Sequence, residues 1–282
     1  MAARKEKAIS KAISKDTKES LAKIFREGKV VCLTGAGISA ESGIPTFRGK
    51  DGLWEKYDPQ VYATAEGLTY ALRQNPGTLA NFMRDFYTIL LKARPNPAHY
   101  ALAVLEKEGV LGSLITQNID NLHQQAGNRK ILELHGNAFR IRCSRCRRTI
   151  TFEKDRIEEM LKLLYKNQGS GLGLMRVLSR YFPHCRCGLR YRPDIVLFGE
   201  LLPEDALAKA KKSLDECNTL VVVGTSLEVY PAAGLPRYAQ DKGVRIVEIN
   251  DEETPLSKGC ALKINSKASA IFSELMQVLG YA

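Results

Sequence analysis

The sequence predicts an α/β fold: a Rossmann-like parallel sheet into which a small zinc-ribbon and helical domain is inserted. Three observations lead there. Apolar, β-branched runs recur along the chain, each followed by a short polar motif, as expected of buried parallel strands whose carboxyl ends face a ligand crevice. The first run, Val30-Val31-Cys32-Leu33, opens directly into a glycine-rich turn. Four cysteines fall as two close pairs, Cys143-x-x-Cys146 and Cys185-x-Cys187, in the stretch where the strand-helix rhythm breaks off.

The 282 residues suffice for one full-sized α/β domain plus a smaller module. Four of the seven cysteines are clustered, which suits a metal site in a reducing compartment better than a secreted disulfide framework. Cys32, Cys217 and Cys260 lie in or near apolar segments and read as small core residues. No apolar run approaches a membrane span and no signal-peptide pattern is present, so the expectation is a soluble, cytoplasmic protein with no membrane partner. The formal net charge of +11 fits acidic or nucleic-acid-associated targets. Part of it sits in residues 1–16, a Lys-rich segment with Lys-Ala-Ile-Ser in tandem, read as a flexible tail; a cleaved presequence fits less well, being usually Arg-rich.

In chain order, Leu21, Ile24 and Phe25 stand at helical spacing, predicting an amphipathic helix over Thr17 to Glu27 that ends at Gly28. The turn after the first strand contains Gly35-x-Gly37-x-x-Ala40, the spacing that lets backbone N–H groups and a helix start approach a pyrophosphate. That signal alone is weak, since a tight βα turn without a ligand can share it. Beyond it, Ile44-Pro45-Thr46-Phe47-Arg48-Gly49 adds an aromatic and a cation, and Trp54 is the single tryptophan. Residues 51–95 read as a mostly helical module broken at Asp58-Pro59 and Asn75-Pro76-Gly77. A helix through His99 to Leu105 closes at Gly109 and leads to a strand over Leu111 to Thr116.

Strand ends then recur. Leu114-Ile115-Thr116 runs into Gln117-Asn118-Ile119-Asp120, and Ile131 to Leu134 into His135-Gly136. Leu220 to Val223 precedes Gly224-Thr225-Ser226, and Val244 to Ile249 precedes Asn250-Asp251. In a parallel sheet these motifs converge with the glycine turn on one edge. Polar residues end many strands, but five such motifs are more than that habit supplies. Between them, residues 140–193 hold the cysteine pairs around a charged helical segment. Two cysteine pairs joined by an insert read as a closed tetrahedral zinc site, one structural ion. The second pair has one intervening residue, so a set with His184 in place of Cys185 stays open.

The block Gly35-Ala36-Gly37-Ile38-Ser39 with Ser42-Gly43-Ile44-Pro45 and Phe47-Arg48 resembles the opening signature of the sirtuins, NAD-dependent protein deacylases, here of prokaryotic type. The resemblance extends from about Leu21 to Leu279 with its motifs in order. It implies an NAD-binding domain over 17–50, 96–139 and 194–282, a helical cofactor-loop module over 51–95 and a zinc module over 140–193. It further implies that Gly35, Ala36, Gly37, Ser39, Ala40 and Glu41 surround the pyrophosphate, with Phe47, Arg48 and Trp54 bordering the cofactor. Gln117 and Asn118 would orient the reacting ribose, Ile119 and Asp120 would line the nicotinamide pocket, and Gly224, Thr225, Ser226, Asn250, Asp251 and Ala268 would serve the adenosine side.

A lone histidine is more often structural, but the strand-end His-Gly makes His135 the general base, aided by Asn118; an imidazole suits a ribose hydroxyl at neutral pH. His123 would support structure, and His99 would mark a helix start outside the chemistry. The resemblance implies transfer of an acyl group from a protein or peptide acyl-lysine to ADP-ribose, with nicotinamide released. Tyr87, Val196, Leu197, Phe198, Gly199 and Val229 would meet that substrate, which would add as a strand by backbone bonds. Relatives that remove acidic acyl groups carry Tyr-x-x-Arg where this chain has Tyr87-Thr88-Ile89-Leu90, so acetyl or longer apolar groups are expected. Mono-ADP-ribosyl transfer is an alternative with the same cofactor pocket. A nucleic-acid-binding zinc ribbon on an inactive scaffold is an alternative of another class.

Overall fold

The computed structural model describes residues 13–45, 53–167 and 170–281. The first helix, α1 (Lys15–Glu27), is capped by Ser14, whose hydroxyl accepts from the Thr17 N–H, and closes at Gly28 with φ +72°. It therefore starts two residues ahead of the expected Thr17, inside the segment 1–16 read as a tail. The Ser14 side chain satisfies an N–H that would otherwise lack a partner. Leu21, Ala22, Ile24 and Phe25 form its buried face, matching the periodicity.

The next elements are β1 (Val30–Thr34), α2 (Ala36–Ser39) and a 3₁₀ turn over Ala40–Ser42. A helical run follows: α3 (Leu53–Lys56), α4 (Pro59–Tyr62), α5 (Ala65–Gln74) and α6 (Pro76–Lys92). Then come α7 (Pro97–Lys107), β2 (Leu111–Thr116), α8 (Leu122–Ala126), β3 (Ile131–Glu133), β4 (Gly136–Cys143) and β5 (Thr149–Thr151). The helices α9 (Lys154–Lys166) and α10 (Gly171–Tyr181) precede β6 (Tyr191–Ile195). The chain ends with α11 (Glu204–Asp215), β7 (Thr219–Val223), α12 (Leu235–Asp241), β8 (Arg245–Asn250), β9 (Leu262–Asn265) and α13 (Ala268–Leu279). Among the described residues no helix is long and apolar enough to cross a membrane.

Six strands form a parallel sheet in the order β3-β2-β1-β7-β8-β9. The chain winds outward from β1 in one direction and from β7 in the other, so the crevice lies where β1 and β7 part. Both faces are covered. Phe25, Leu102, Ile271 and Phe272 of α1, α7 and α13 pack on one side, and Leu214, Leu235 and Ala239 of α11 and α12 on the other. With apolar cover on both faces, every residue of β1 and β7 is buried, which explains their unbroken apolar runs.

A second, antiparallel sheet, β5-β4-β6, carries the cysteine pairs. It shares a separate core with α4, α5, α6, α9 and α10, built on Phe82, Tyr87, Phe152, Met160 and Tyr181. At the junction of the two sheets, Arg140 pairs with Glu133 at 2.7 Å and with Asp194 at 2.5 Å, and Arg142 reaches Asp194 at 2.8 Å. This network ties the smaller sheet to the strand end that carries His135.

Candidate active site

The turn after β1 approaches the turn after β7 very closely. The Gly35 N–H donates to the Val223 carbonyl at 3.1 Å and the Gly37 N–H to the Gly224 carbonyl at 2.8 Å. A Cβ on Gly37 would lie 2.7 Å from the Gly224 Cα, and one on Gly224, at φ +58°, would lie 2.4 Å from the Ile38 nitrogen. The glycines are thus needed for the two turns to touch, which is a stricter demand than a tight bend. Ala36 and Ala40 keep the same surface small, and Glu41 reaches across it, its carboxylate accepting from the Ser269 N–H at 3.3 Å.

The loop after β2 packs against this turn through its side chains. Asn118 Nδ2 donates to the Gly35 carbonyl at 3.0 Å and to Ser39 Oγ at 3.1 Å. Ser39 Oγ in turn donates to Asp120 Oδ2 at 2.7 Å. Asp120 is buried, which raises its carboxyl above the ordinary value against the bonds from the Leu122 N–H and Ser39 that favour the ionised form. Gln117 Nε2 donates to Thr225 Oγ1 at 3.0 Å, joining this loop to the turn after β7. The Ile119 carbonyl accepts from the Ala138 N–H at 2.9 Å, so the loop is also pinned to β4.

His135 follows β3 and is half-buried. Its Nδ1 lies 2.8 Å from the Gln117 carbonyl, which can only accept, so Nδ1 carries the proton and Nε2 keeps its lone pair. Burial lowers its pKa below the ordinary imidazole value, partly countered by the bond to Gln117. The net lowering keeps the imidazole neutral, and so able to accept a proton, at neutral pH.

Behind these residues stands a buried histidine pair. The rings of His99 and His123 lie 4.8 Å apart. His123 Nε2 is 3.0 Å from Thr34 Oγ1, and His99 Nε2 is 3.5 Å from Ser39 Oγ. His99 Nδ1 accepts from the Asn96 N–H at 3.3 Å and completes the cap of α7. His99 stands at a helix start, as expected, but it also backs Ser39 and through it Asp120, so it is not remote from the site. The signal was present in Asn96-Pro97-Ala98-His99, where the cap holds the ring in one orientation.

At the other end of the turn, a cavity of about 230 Å³ is lined by Gly37, Ala40, Glu41, Gly224, Asn250, Asp251 and Ala268 among others. Small residues, polar side chains and a floor at the strand ends fit a nucleoside with its phosphates. Thr225 is buried beneath it and bonds back to the Leu227 N–H at 3.3 Å, while Ser226 is exposed beside Glu228. Phe47 and Arg48 lie outside the described residues. Trp54 stacks on Phe82 with ring centroids 6.3 Å apart, so it belongs to the core of the smaller unit.

The expected substrate residues divide. The Val196 N–H donates to the His135 carbonyl at 3.0 Å, the Leu197 N–H to Glu200 Oε2 at 3.1 Å and the Phe198 N–H to the Ala63 carbonyl at 2.8 Å. Glu200 is itself gripped by both guanidinium nitrogens of Arg192 at 2.6 Å. This segment therefore runs from beside His135 to the smaller unit, with Phe198 exposed and Gly199 turning at φ +84°. Val229 is half-buried beyond the β7 turn, its carbonyl accepting from the Ala233 N–H. Tyr87 departs from the expectation that it faces the acyl group. It is 2% exposed, edge-on to Phe86 and Phe152 within the smaller core, because α6 turns that face against α9. Among the described residues its hydroxyl has no hydrogen-bond partner, and burial raises its pKa.

The four sulfur atoms of Cys143, Cys146, Cys185 and Cys187 lie within 4.8 Å of one another. Cys143 and Cys187 are 3.3 Å apart and Cys146 and Cys185 3.5 Å, near the ~3.8 Å expected between thiolates on one tetrahedral zinc. The fourth donor is Cys185, whereas His184 is exposed and bridges to Arg190. Four soft donors on two tight turns, one with Arg147 at φ +57° and one with Gly188 at φ +93°, fit zinc.

Comparison with known proteins shows which family the chain falls in. The Sir2 family pattern matches residues 35–231. An NAD-dependent protein deacylase of Pyrococcus abyssi is 41% identical over 259 residues, covering 91% of this chain and 95% of that protein. One from Aquifex aeolicus is 43% identical over 241 residues, covering 85% and 90%. A mutant Sir2 homologue solved with ADP-ribose superposes with a TM-score of 0.76 at 37% identity, covering 93% of this chain and 96% of that one. A Sir2 mutant with deacetylated p53 peptide and 3'-O-acetyl ADP-ribose gives 0.75 at 35% identity, covering 94% and 100%. The chain belongs to the Sir2 family.

Proposed function

We propose that this chain is an NAD-dependent protein-lysine deacylase, acting mainly as a deacetylase, and that His135 is its general base. The observation that carries the reading is the His135 imidazole, fixed through Nδ1 to the Gln117 carbonyl in the loop that also presents Asn118 and Asp120. When bound, NAD supplies an electrophilic ribose carbon and nicotinamide as its leaving group. Asn118, held by Gly35 and Ser39, orients the ribose, and His135 Nε2 takes the proton from its hydroxyl. Asp120 accepts from the carboxamide beside Ile119. The adenosine half would occupy the cavity against Gly224, Thr225, Asn250, Asp251 and Ala268, with the pyrophosphate along Ala36, Gly37 and Ser39.

The same reading gives zinc a structural role, since four thiolates leave no position for water. The peptide would lie across Val196 to Gly199 and Val229; with the N–H groups of 196–198 and the Leu197 and Val229 carbonyls engaged within the chain, a strand added there would bond to the remaining carbonyls. The separate cores support division into an NAD domain and a smaller zinc and helical domain. The +11 charge supports acidic or nucleic-acid-associated protein targets, and the free cysteines support a cytoplasmic setting.

Mass spectrometry of an acetyl-lysine peptide with and without NAD tests the reading. Acyl loss and nicotinamide release are expected from the wild type and are expected to fall at least ~100-fold in His135→Ala, in line with loss of a general base. Mass gain on the peptide in place of acyl loss would point to ADP-ribosyl transfer.

A further inference from the structure

The cavity assigned to adenosine is walled by two segments that the chain reaches in succession, Asn250-Asp251 at the end of β8 and Ser266 to Ala268 at the start of α13. The connection between them is largely exposed, and one carboxylate holds it down. Glu248 on β8 is fully buried. The Thr254 hydroxyl donates to its Oε1, the Ser257 hydroxyl donates to its Oε2 at 2.6 Å, and the Cys260 sulfur lies 4.0 Å from the same oxygen.

The two hydroxyl residues are locked to each other as well. The Thr254 N–H donates to Ser257 Oγ at 2.9 Å and the Leu256 N–H to Thr254 Oγ1 at 3.1 Å. At the near end, Asn250 Nδ2 donates to the Glu252 carbonyl at 3.2 Å. Strand alternation puts Glu248 on the same face as Asn250, directly under the loop. Among the described residues no lysine or arginine forms an ion pair with Glu248. A carboxylate buried without a cation is a costly way to cover a sheet, and an apolar side chain would do so more cheaply. What the acid adds is geometry: it fixes where the loop leaves Asn250 and where it returns to β9.

We propose that Glu248 is a positioning residue for the cofactor, which sets the spacing of the two adenosine walls through Thr254 and Ser257. It acts on affinity for the adenosine half and takes no part in the chemistry beside His135. The proposal rests on reading Asn250 and Asp251 as adenosine contacts.

The test uses the full chain with its zinc. KM for NAD, kcat and the calorimetric affinity for ADP-ribose are measured in Glu248→Gln, in Thr254→Val combined with Ser257→Ala, and in Asp251→Ala. The double variant is expected to weaken ADP-ribose and raise KM about tenfold, with kcat within about twofold and nicotinamide inhibition unchanged. Glu248→Gln is expected to stay near wild type, because an amide can accept from Thr254 and donate to Ser257. If Asp251→Ala weakens ADP-ribose while the folded double variant does not, the role of Glu248 is overturned and the adenosine reading stands. If Asp251→Ala is silent, the adenosine reading fails and the proposal falls with it. Equal losses in kcat and KM in the double variant would also overturn it, since they would mark general damage.

Discussion

At the scale of single residues, the site is a set of side chains whose protonation is chosen by what surrounds them. As the proposed base, His135 must be neutral at Nε2 to accept a proton, and burial holds its pKa below the usual 6.5. A lowered pKa keeps the base neutral further into acid, and activity is lost as pH falls through that value. The acidic limb of kcat/KM is therefore expected to inflect below about 6.5. An inflection at or above that pH would assign the limb to another group. That His135, Asn118 and Asp120 would meet was legible in the sequence because each lies a few residues past the end of an apolar strand, and strand ends define the crevice; the roles proposed for them rest on the family resemblance. Tyr87 was misread because a helix spacing tells which residues share a face and not what that face meets. His99 was undervalued because its bond to Ser39 joins positions 60 residues apart.

At the scale of elements, two turns and one helix decide what the site can do. The β1 and β7 turns touch through glycine, and a Cβ on Gly224 would strike backbone at 2.4 Å from a left-handed conformation. Gly224→Ala is expected to cost about 1–3 kcal/mol of stability and to weaken NAD binding, read by thermal melts with and without NAD. An unchanged melt would show that the turns can part freely. The helix α6 bears on acyl choice. Leu90, which stands where relatives active on acidic acyl groups have arginine, is buried in the smaller core. The nearby cations are engaged: Arg94 donates to the Leu91 and Ala93 carbonyls at 2.8 Å, and Arg84 lies 4.0 Å from Asp85. With leucine at that position in place of the arginine, acetyl is expected to be removed at least ~10-fold faster than succinyl from the same peptide. Faster succinyl removal would mean that one of these arginines leaves its partners.

At the scale of the whole molecule, the parallel sheet and the inserted cysteine ribbon could be read from apolar runs and cysteine spacing. The order β3-β2-β1-β7-β8-β9 and the Arg140–Asp194 junction could not, since both depend on pairings between distant segments. The same assembly buries His99 and His123 between the sheet and α7, with consequences for stability. Burial lowers His99 to about 4 and His123 well below its ordinary value, mainly because the charged form loses its hydration. The unfolded chain protonates both near pH 6.5, so between that pH and about 4 it binds more protons than the folded chain, and stability falls with pH. Asp120 works in the opposite sense, because its raised carboxyl keeps a proton longer in the folded state, but it is one group against two. For His99 alone the shift from 6.5 to about 4 corresponds to roughly 3 kcal/mol. Urea unfolding is expected to show stability declining below about pH 6.5 and the decline becoming shallower in His99→Gln. A slope unaltered by that substitution would place the acid sensitivity elsewhere in the fold.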